Sequence, residues 1–302
     1  MPFVDIKKKN VTYTIHAVTT VQPDLNLLAD QVKLHLYISP NRTTPDQVFS
    51  INDTDNWKTS NSEGKNSVAF IIHGFHGAAY EPMFQNIKNA YLSKANWTVI
   101  MVDWEKPSRV ARYETAVNSA LIIASLLAKW ISTALVNGYV DASRMHIVGF
   151  SMGAHIAGNV GKRVTGGKVA KIFALDPALP IYDKKNITER LHIDDAEFVE
   201  VIHTCGNFIS FDADLGHVDF YPNGGQFPQP GCLDPRQSTQ DVWGLEIITV
   251  MVCSHNIALK YFAESIYDEH KFTAVRCDSW REFQTNNCSS TTAPMGYGTT
   301  IE

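Results

Sequence analysis

The sequence predicts an α/β fold, a mostly parallel central sheet with helices on both faces. Three observations carry that prediction. Apolar runs at Ser67 to Ile72, Trp97 to Val102, Arg144 to Phe150, Val169 to Leu175 and Phe198 to Ile202 read as strands, the first two buried on both faces. Helical segments alternate with these runs over short connectors, which is the pattern of βαβ units. His73, Asp103, Ser151, Asp176 and His203 each come just after a strand, at the strand ends where such sheets place their sites.

Taken in order, Val11 to His16 and Val32 to Ile38 alternate apolar and polar residues, as half-buried strands do. Ser39 to Lys65 is rich in Pro, Asn, Asp and Ser and reads as surface loops. Glu81 to Ser93, Tyr113 to Asn137, Met152 to Arg163 and His255 to Tyr267 read as helices. Val218 to Tyr221 is strand-like within a loop-rich stretch that runs to Cys253. Internal repeats and a linker are not evident, so residues 1–302 are expected to form one domain.

The net charge is −5, without a basic stripe, so nucleic acid is not an expected partner. No run approaches the ~20 apolar residues that span a bilayer, because Ser125 and Lys129 interrupt the longest, Ala120 to Trp130. The first nine residues carry no signal-peptide core. Six Asn-x-Ser/Thr sequons, at Asn10, Asn41, Asn52, Asn96, Asn186 and Asn287, still suggest a secreted, glycosylated chain whose leader has been removed. All five cysteines (Cys205, Cys232, Cys253, Cys277 and Cys288) lie in the last third, which suits disulfides in an oxidising compartment and leaves one unpaired.

Gly149-Phe-Ser151-Met-Gly153 holds the Gly-x-Ser-x-Gly pattern between a strand and an Ala/Gly-rich helix. A serine on that sharp turn is pushed out over the sheet edge, and the helix that follows turns free N–H groups toward a developing oxyanion. By itself the pentapeptide equally describes a glycine-punctuated turn with an idle serine. A serine hydroxyl needs a base to take its proton and a third group to orient that base. An α/β-hydrolase supplies them in the order Ser, Asp or Glu, His. Asp176, at a strand end and followed by Pro177, is the candidate acid, with Asp194 and Asp195 as competitors in a polar loop. His203, His217 and His255 are three candidate bases, and sequence order alone does not separate them.

Val148-Gly-Phe-Ser-Met-Gly-Ala-His-Ile-Ala-Gly158, Ala174-Leu-Asp-Pro-Ala178, Val201-Ile-His-Thr204, Gly216-His-Val-Asp-Phe-Tyr-Pro-Asn-Gly-Gly225 and Cys253-Ser-His255 resemble the pancreatic-lipase family, most nearly its insect members, among them venom phospholipases A1. The resemblance implies an α/β-hydrolase fold and a triad of Ser151, Asp176 and His255, with an oxyanion hole from the backbone N–H groups of Phe75 and Met152. It implies disulfides Cys232–Cys253, closing a lid, and Cys277–Cys288. Cys205 is left over, and Phe150 stands where many lipases carry His. The resemblance further implies a secreted serine esterase acting on glycerolipid at a membrane or lipid-droplet surface. No metal or organic cofactor is expected. The chain leaves no room for the family's C-terminal β-sandwich, so a monomer without colipase is expected.

Trp243, Leu245, Ile247 and Ile248, with Val250 and neighbours, make the lid stretch apolar, and Trp243, Ile247 and Val250 fall at helical spacing. The expectation is a loop that covers the serine in water and lays an apolar side on lipid. In the family a short loop such as Cys205 to Gly216 accompanies phospholipase A1 activity. A long lid accompanies triacylglycerol hydrolysis. Here the first is short and the second long, and the reading leans toward phospholipid.

Overall fold

The structure is a computed structural model that describes residues 25–53, 66–234, 236, 239 and 243–300. The strand expected over Val11 to His16 lies outside the described residues. Helix α1 (Leu25–Asp30) leads to β1 (Lys33–Tyr37), β2 (Gln47–Ser50), β3 (Ser67–Ile72), α2 (Pro82–Ser93), β4 (Trp97–Asp103) and the short α3 (Glu105–Ser108). Then come α4 (Tyr113–Val136), β5 (Met145–Phe150), α5 (Met152–Arg163), β6 (Lys171–Leu175), β7 (Phe198–Ile202), β8 (Val218–Phe220) and α6 (Leu245–Tyr267). A hairpin of β9 (Thr273–Val275) and β10 (Thr292–Pro294), with α7 (Trp280–Gln284) between its strands, follows.

Among the described residues, eight strands form one sheet in the order β2-β1-β4-β3-β5-β6-β7-β8. β1 runs antiparallel to β2 and β4, and every pair from β4 to β8 is parallel. This is the arrangement of an α/β-hydrolase sheet. Inner strands such as Ser67–Ile72 and Trp97–Asp103 are buried on both faces, which is why they read as unbroken apolar runs. One core packs α4 and α5 against one face, with Val68, Phe70, Ile72, Ile123, Leu127 and Ile156 among its members. The other packs α2 and the second half of α6 against the opposite face through Ile71, Val99, Ile87, Leu259 and Phe262.

Three expectations are corrected. The stretch Ser39 to Lys65 is not all loop: Gln47–Ser50 forms the edge strand β2, whose first two residues face solvent and so show no apolar alternation. Helix α6 starts at Leu245, well before His255, so the second half of the lid stretch and His255 share one continuous helix. Finally, α4 and α6 are both long and apolar enough to cross a membrane by length and composition, because an isolated Ser or Lys barely lowers the average over a whole helix. In α4 the apolar side is used inside the protein: Ala116, Ala120, Ile123, Ala124, Leu127, Ile131 and Ala134 are buried.

The turn at Ser151 depends on the two glycines that flank it. A Cβ on Gly149 would sit 2.3 Å from the Gly153 carbonyl oxygen, and one on Gly153 would sit 2.4 Å from the carbonyl oxygen of Ile72 in β3. Both clashes are with backbone, which cannot swing aside. Gly153→Ala is therefore expected to destabilise the fold by ~1–3 kcal/mol, the usual cost of overpacking. A thermal-unfolding midpoint equal to that of the unsubstituted protein would count against this close approach.

Candidate active site

Ser151 sits between β5 and α5 at φ 56°, ψ −119°, a conformation that L-residues rarely hold. Its N–H donates to the Leu175 carbonyl at 2.9 Å, which ties the turn to the neighbouring strand. A strained serine on a strand-to-helix turn presents its hydroxyl above the sheet edge. As the first residue of α5, Met152 has an N–H without an intrahelical partner.

β6 ends one residue before Asp176, whose side chain is fully buried. Its Oδ1 accepts from Thr204 N–H at 2.7 Å and Cys205 N–H at 3.1 Å. Its Oδ2 lies 2.5 Å from Nδ1 of His255. The carboxylate is thus held on one side by two amides of the loop after β7 and engages the imidazole with the other. The His255 ring packs on Phe150, the residue before the serine, at 4.5 Å between centroids. The phenylalanine that stands in place of the family's frequent His is therefore a platform for the imidazole.

The loop after β3 closes over the same corner. A Cβ on Gly74 would lie 2.9 Å from Cβ of Ser151, so the His73-Gly74-Phe75 backbone passes directly beside the Ser151 turn. Phe75 N–H makes no hydrogen bond among the described residues. Two free N–H groups, Phe75 and Met152, thus belong to segments that adjoin Ser151.

The competing candidates are engaged elsewhere. His203 puts Nε2 2.8 Å from Asp219 Oδ1 and Nδ1 2.7 Å from the Phe211 carbonyl, with its ring stacked on Tyr221. His217 Nδ1 accepts from Val199 N–H at 3.0 Å. Asp195 is buried against Lys162, with Nζ 2.5 Å from Oδ1, and burial raises its carboxyl to about 6. Asp194 is exposed beside His192. The sulfurs of Cys232 and Cys253 are bonded, as are those of Cys277 and Cys288. Cys205 is a buried free thiol, pushed up to about 12 by burial and by the nearby Asp176 charge.

A strained serine, a carboxylate–imidazole pair and two amides without partners thus lie on neighbouring segments at the carboxyl edge of a parallel sheet, and among the described residues no hydrogen bond yet joins Ser151 Oγ to His255. A family model described as Lipase matches residues 5–300. The chain belongs to the Lipase family. This is the pancreatic-lipase family that the sequence motifs resemble. Among curated relatives, mouse lipase member H is 34% identical over 222 residues, 73% of this chain and 47% of its own length. Mouse inactive pancreatic lipase-related protein 1 is 33% identical over 262 residues, 84% of this chain and 54% of its own. The chain thus spans about half the length of the curated relatives it matches. An esterase from Thermogutta terrifontis aligns over 59% of this chain and 69% of its own, at TM-score 0.36 and 14% identity, too slight a likeness to add to the topology. Among these Lipase-family relatives one bears an active name and another the word inactive, so activity has to be argued from the site.

Sequence reasoning did not find the two amides that hold Asp176, nor the contact of Phe150 with His255. Backbone donors leave no side-chain signal, and the Phe150 contact depends on where α6 crosses the sheet edge.

Proposed function

We propose that the chain is a secreted carboxylic-ester hydrolase of acyl glycerolipids, acting through Ser151, Asp176 and His255, with phospholipid preferred over triacylglycerol. The observation that carries the reading is the 2.5 Å contact of buried Asp176 with His255 beside a serine held in a strained turn. Ser151 attacks the ester carbonyl. His255 takes the serine proton and returns it to the leaving alcohol. Asp176 fixes the tautomer and stabilises the imidazolium. Phe75 and Met152 N–H groups bind the oxyanion, and water then cleaves the acyl-enzyme. Covalent labelling of Ser151 by a fluorophosphonate probe tests the site. Hydrolysis of triolein against phosphatidylcholine, with the released positions identified, tests the substrate. An unlabelled, inactive protein that still binds lipid would instead point to a non-catalytic lipid carrier, a reading favoured by the relative named inactive.

Lipid contact is assigned to the exposed stripe at the start of α6. Trp243, Leu245, Ile248 and Val252 are 78%, 82%, 54% and 47% exposed. The lid expectation needs one adjustment here: Val250 faces the core at 4%, and Ile247 is half-buried, so the lipid-facing row is Leu245, Ile248 and Val252. Val242 lies outside the described residues. Burying each large apolar side chain contributes ~1.5–3 kcal/mol. Leu245→Asp with Ile248→Asp is expected to weaken binding to phosphatidylcholine vesicles by roughly 10²–10⁴-fold. Turnover of a dissolved short-chain ester should change far less. Equal losses on both substrates would count against an interfacial role.

Two disulfides and the exposure of Asn41, Asn52, Asn96, Asn186 and Asn287 support secretion and glycosylation, while Asn10 lies outside the described residues. The acting species is a monomer that meets its lipid peripherally.

A further inference from the structure

His73, at the end of β3, is buried, and its ring stacks on Trp104 at 5.3 Å with the planes 12° apart. Trp104 N–H donates to Nε2 of His73 at 3.1 Å, and Trp104 Nε1–H donates to the His73 carbonyl at 2.9 Å. A backbone N–H can only donate, and Asp103 Oδ1, 3.6 Å from the same Nε2, is too far to take a hydrogen bond from it, so Nε2 carries the lone pair and the imidazole proton sits on Nδ1. That Nδ1 lies 2.9 Å from the Gly74 carbonyl oxygen. The proton therefore points at the Gly74 oxygen, which also accepts from Gly77 N–H at 3.2 Å.

The Gly74 carbonyl and the Phe75 N–H belong to one planar trans peptide and point in opposite directions. Fixing the oxygen fixes the N–H. We propose that His73 is a positioning residue of the oxyanion hole: its Nδ1–H grips the Gly74 carbonyl from behind and so aims the Phe75 N–H at the reacting carbon's oxygen. The inference rests on the role given to Phe75 above. Trp104, the residue after β4, sets the His73 tautomer.

The test is a set of His73 variants read by kcat, KM and the inhibition constant of a trifluoromethyl ketone, whose serine adduct carries the oxyanion. Asn places its amide N–H near the position of Nδ1. Gln places an acceptor near Nε2 and has no donor at Nδ1, and Leu has neither. His73→Gln and His73→Leu are expected to lose about 10–100-fold in kcat, less than the ~10²–10³ for deleting a donor outright. KM should stay within about threefold, and inhibition by the ketone should weaken in parallel with kcat. His73→Asn should keep kcat within a few-fold of the unsubstituted enzyme. A merely structural histidine would show no Asn–Gln split; three variants equal in kcat, or losses confined to KM, overturn the proposal. Should the variants fail to fold, nitrogen-15 spectra of the unsubstituted protein still decide. A His73 proton on Nδ1 supports the assignment, and one on Nε2 overturns it. A protein that neither hydrolyses ester nor reacts with a fluorophosphonate would sink the enzymatic reading instead, whereas an active one with a flat His73 series sinks only this inference.

Discussion

Asp176→Asn is expected to lower kcat by about 10⁴-fold with the fold intact, the scale seen when a triad acid becomes its amide. The reason lies in which oxygen does what. Oδ1 accepts two backbone N–H groups, from Thr204 and Cys205, in a fully buried position. In the amide, only the oxygen can take that place, because an NH₂ there would face two donors. The NH₂ is then turned toward Nδ1 of His255, which has to accept. The imidazole proton moves to Nε2, and the nitrogen that should take the serine proton is blocked. Activity should fall across the whole pH range, while the thermal midpoint moves by only a few degrees. A variant that keeps a tenth or more of its turnover would show that Asp176 does not set the histidine tautomer.

Ser151→Ala should lower acyl-ester turnover by about 10⁴–10⁶-fold, since the remaining members of a triad cannot replace the attacking oxygen. The turn itself should survive. Its geometry is held by Ser151 N–H on the Leu175 carbonyl and by the close approach of Gly149 to Gly153, and neither uses the hydroxyl. The positive φ is already endured by a residue with a Cβ, so alanine adds no new clash. Circular dichroism should be unchanged and fluorophosphonate labelling lost. Persistent labelling at another residue, with turnover retained, would remove Ser151 from the mechanism.

The strands β3 to β7 were readable because burial on both faces leaves no polar positions to hide them. β2 was not, because a short edge strand with one solvent-facing half carries no such signature. At the site, the Gly-x-Ser-x-Gly turn was legible as chemistry: glycines where a Cβ would strike backbone, and a serine between them. The choice among His203, His217 and His255 was not legible from residues alone. It depends on registry: β7 pairs with β6 so that Ile202 stands opposite Leu175, and the His203 side chain then turns to Asp219 in β8. Only the family motifs singled out His255, because the path of α6 back over the sheet edge is a tertiary fact. The start of α6 was misplaced for a related reason. A helix with one wet apolar face and one core face looks uniformly greasy, and its period is hard to see until the exposed Leu245, Ile248 and Val252 are separated from buried Val250.

That single helix has a mechanical consequence. Leu245, which faces solvent, and His255, which meets Asp176, ride on the same rigid rod. Ser254 Oγ accepts from Gln229 N–H and the Cys232–Cys253 bridge lies next to it, so the rod is clamped just ahead of the imidazole. The described chain bends sharply at Gly244, with φ of 59°, immediately ahead of this rod, so a movement of the exposed stripe that pivots there would leave His255 in place. Under the proposed function, the pairing of His255 with Asp176 is in place before any such movement and does not depend on it.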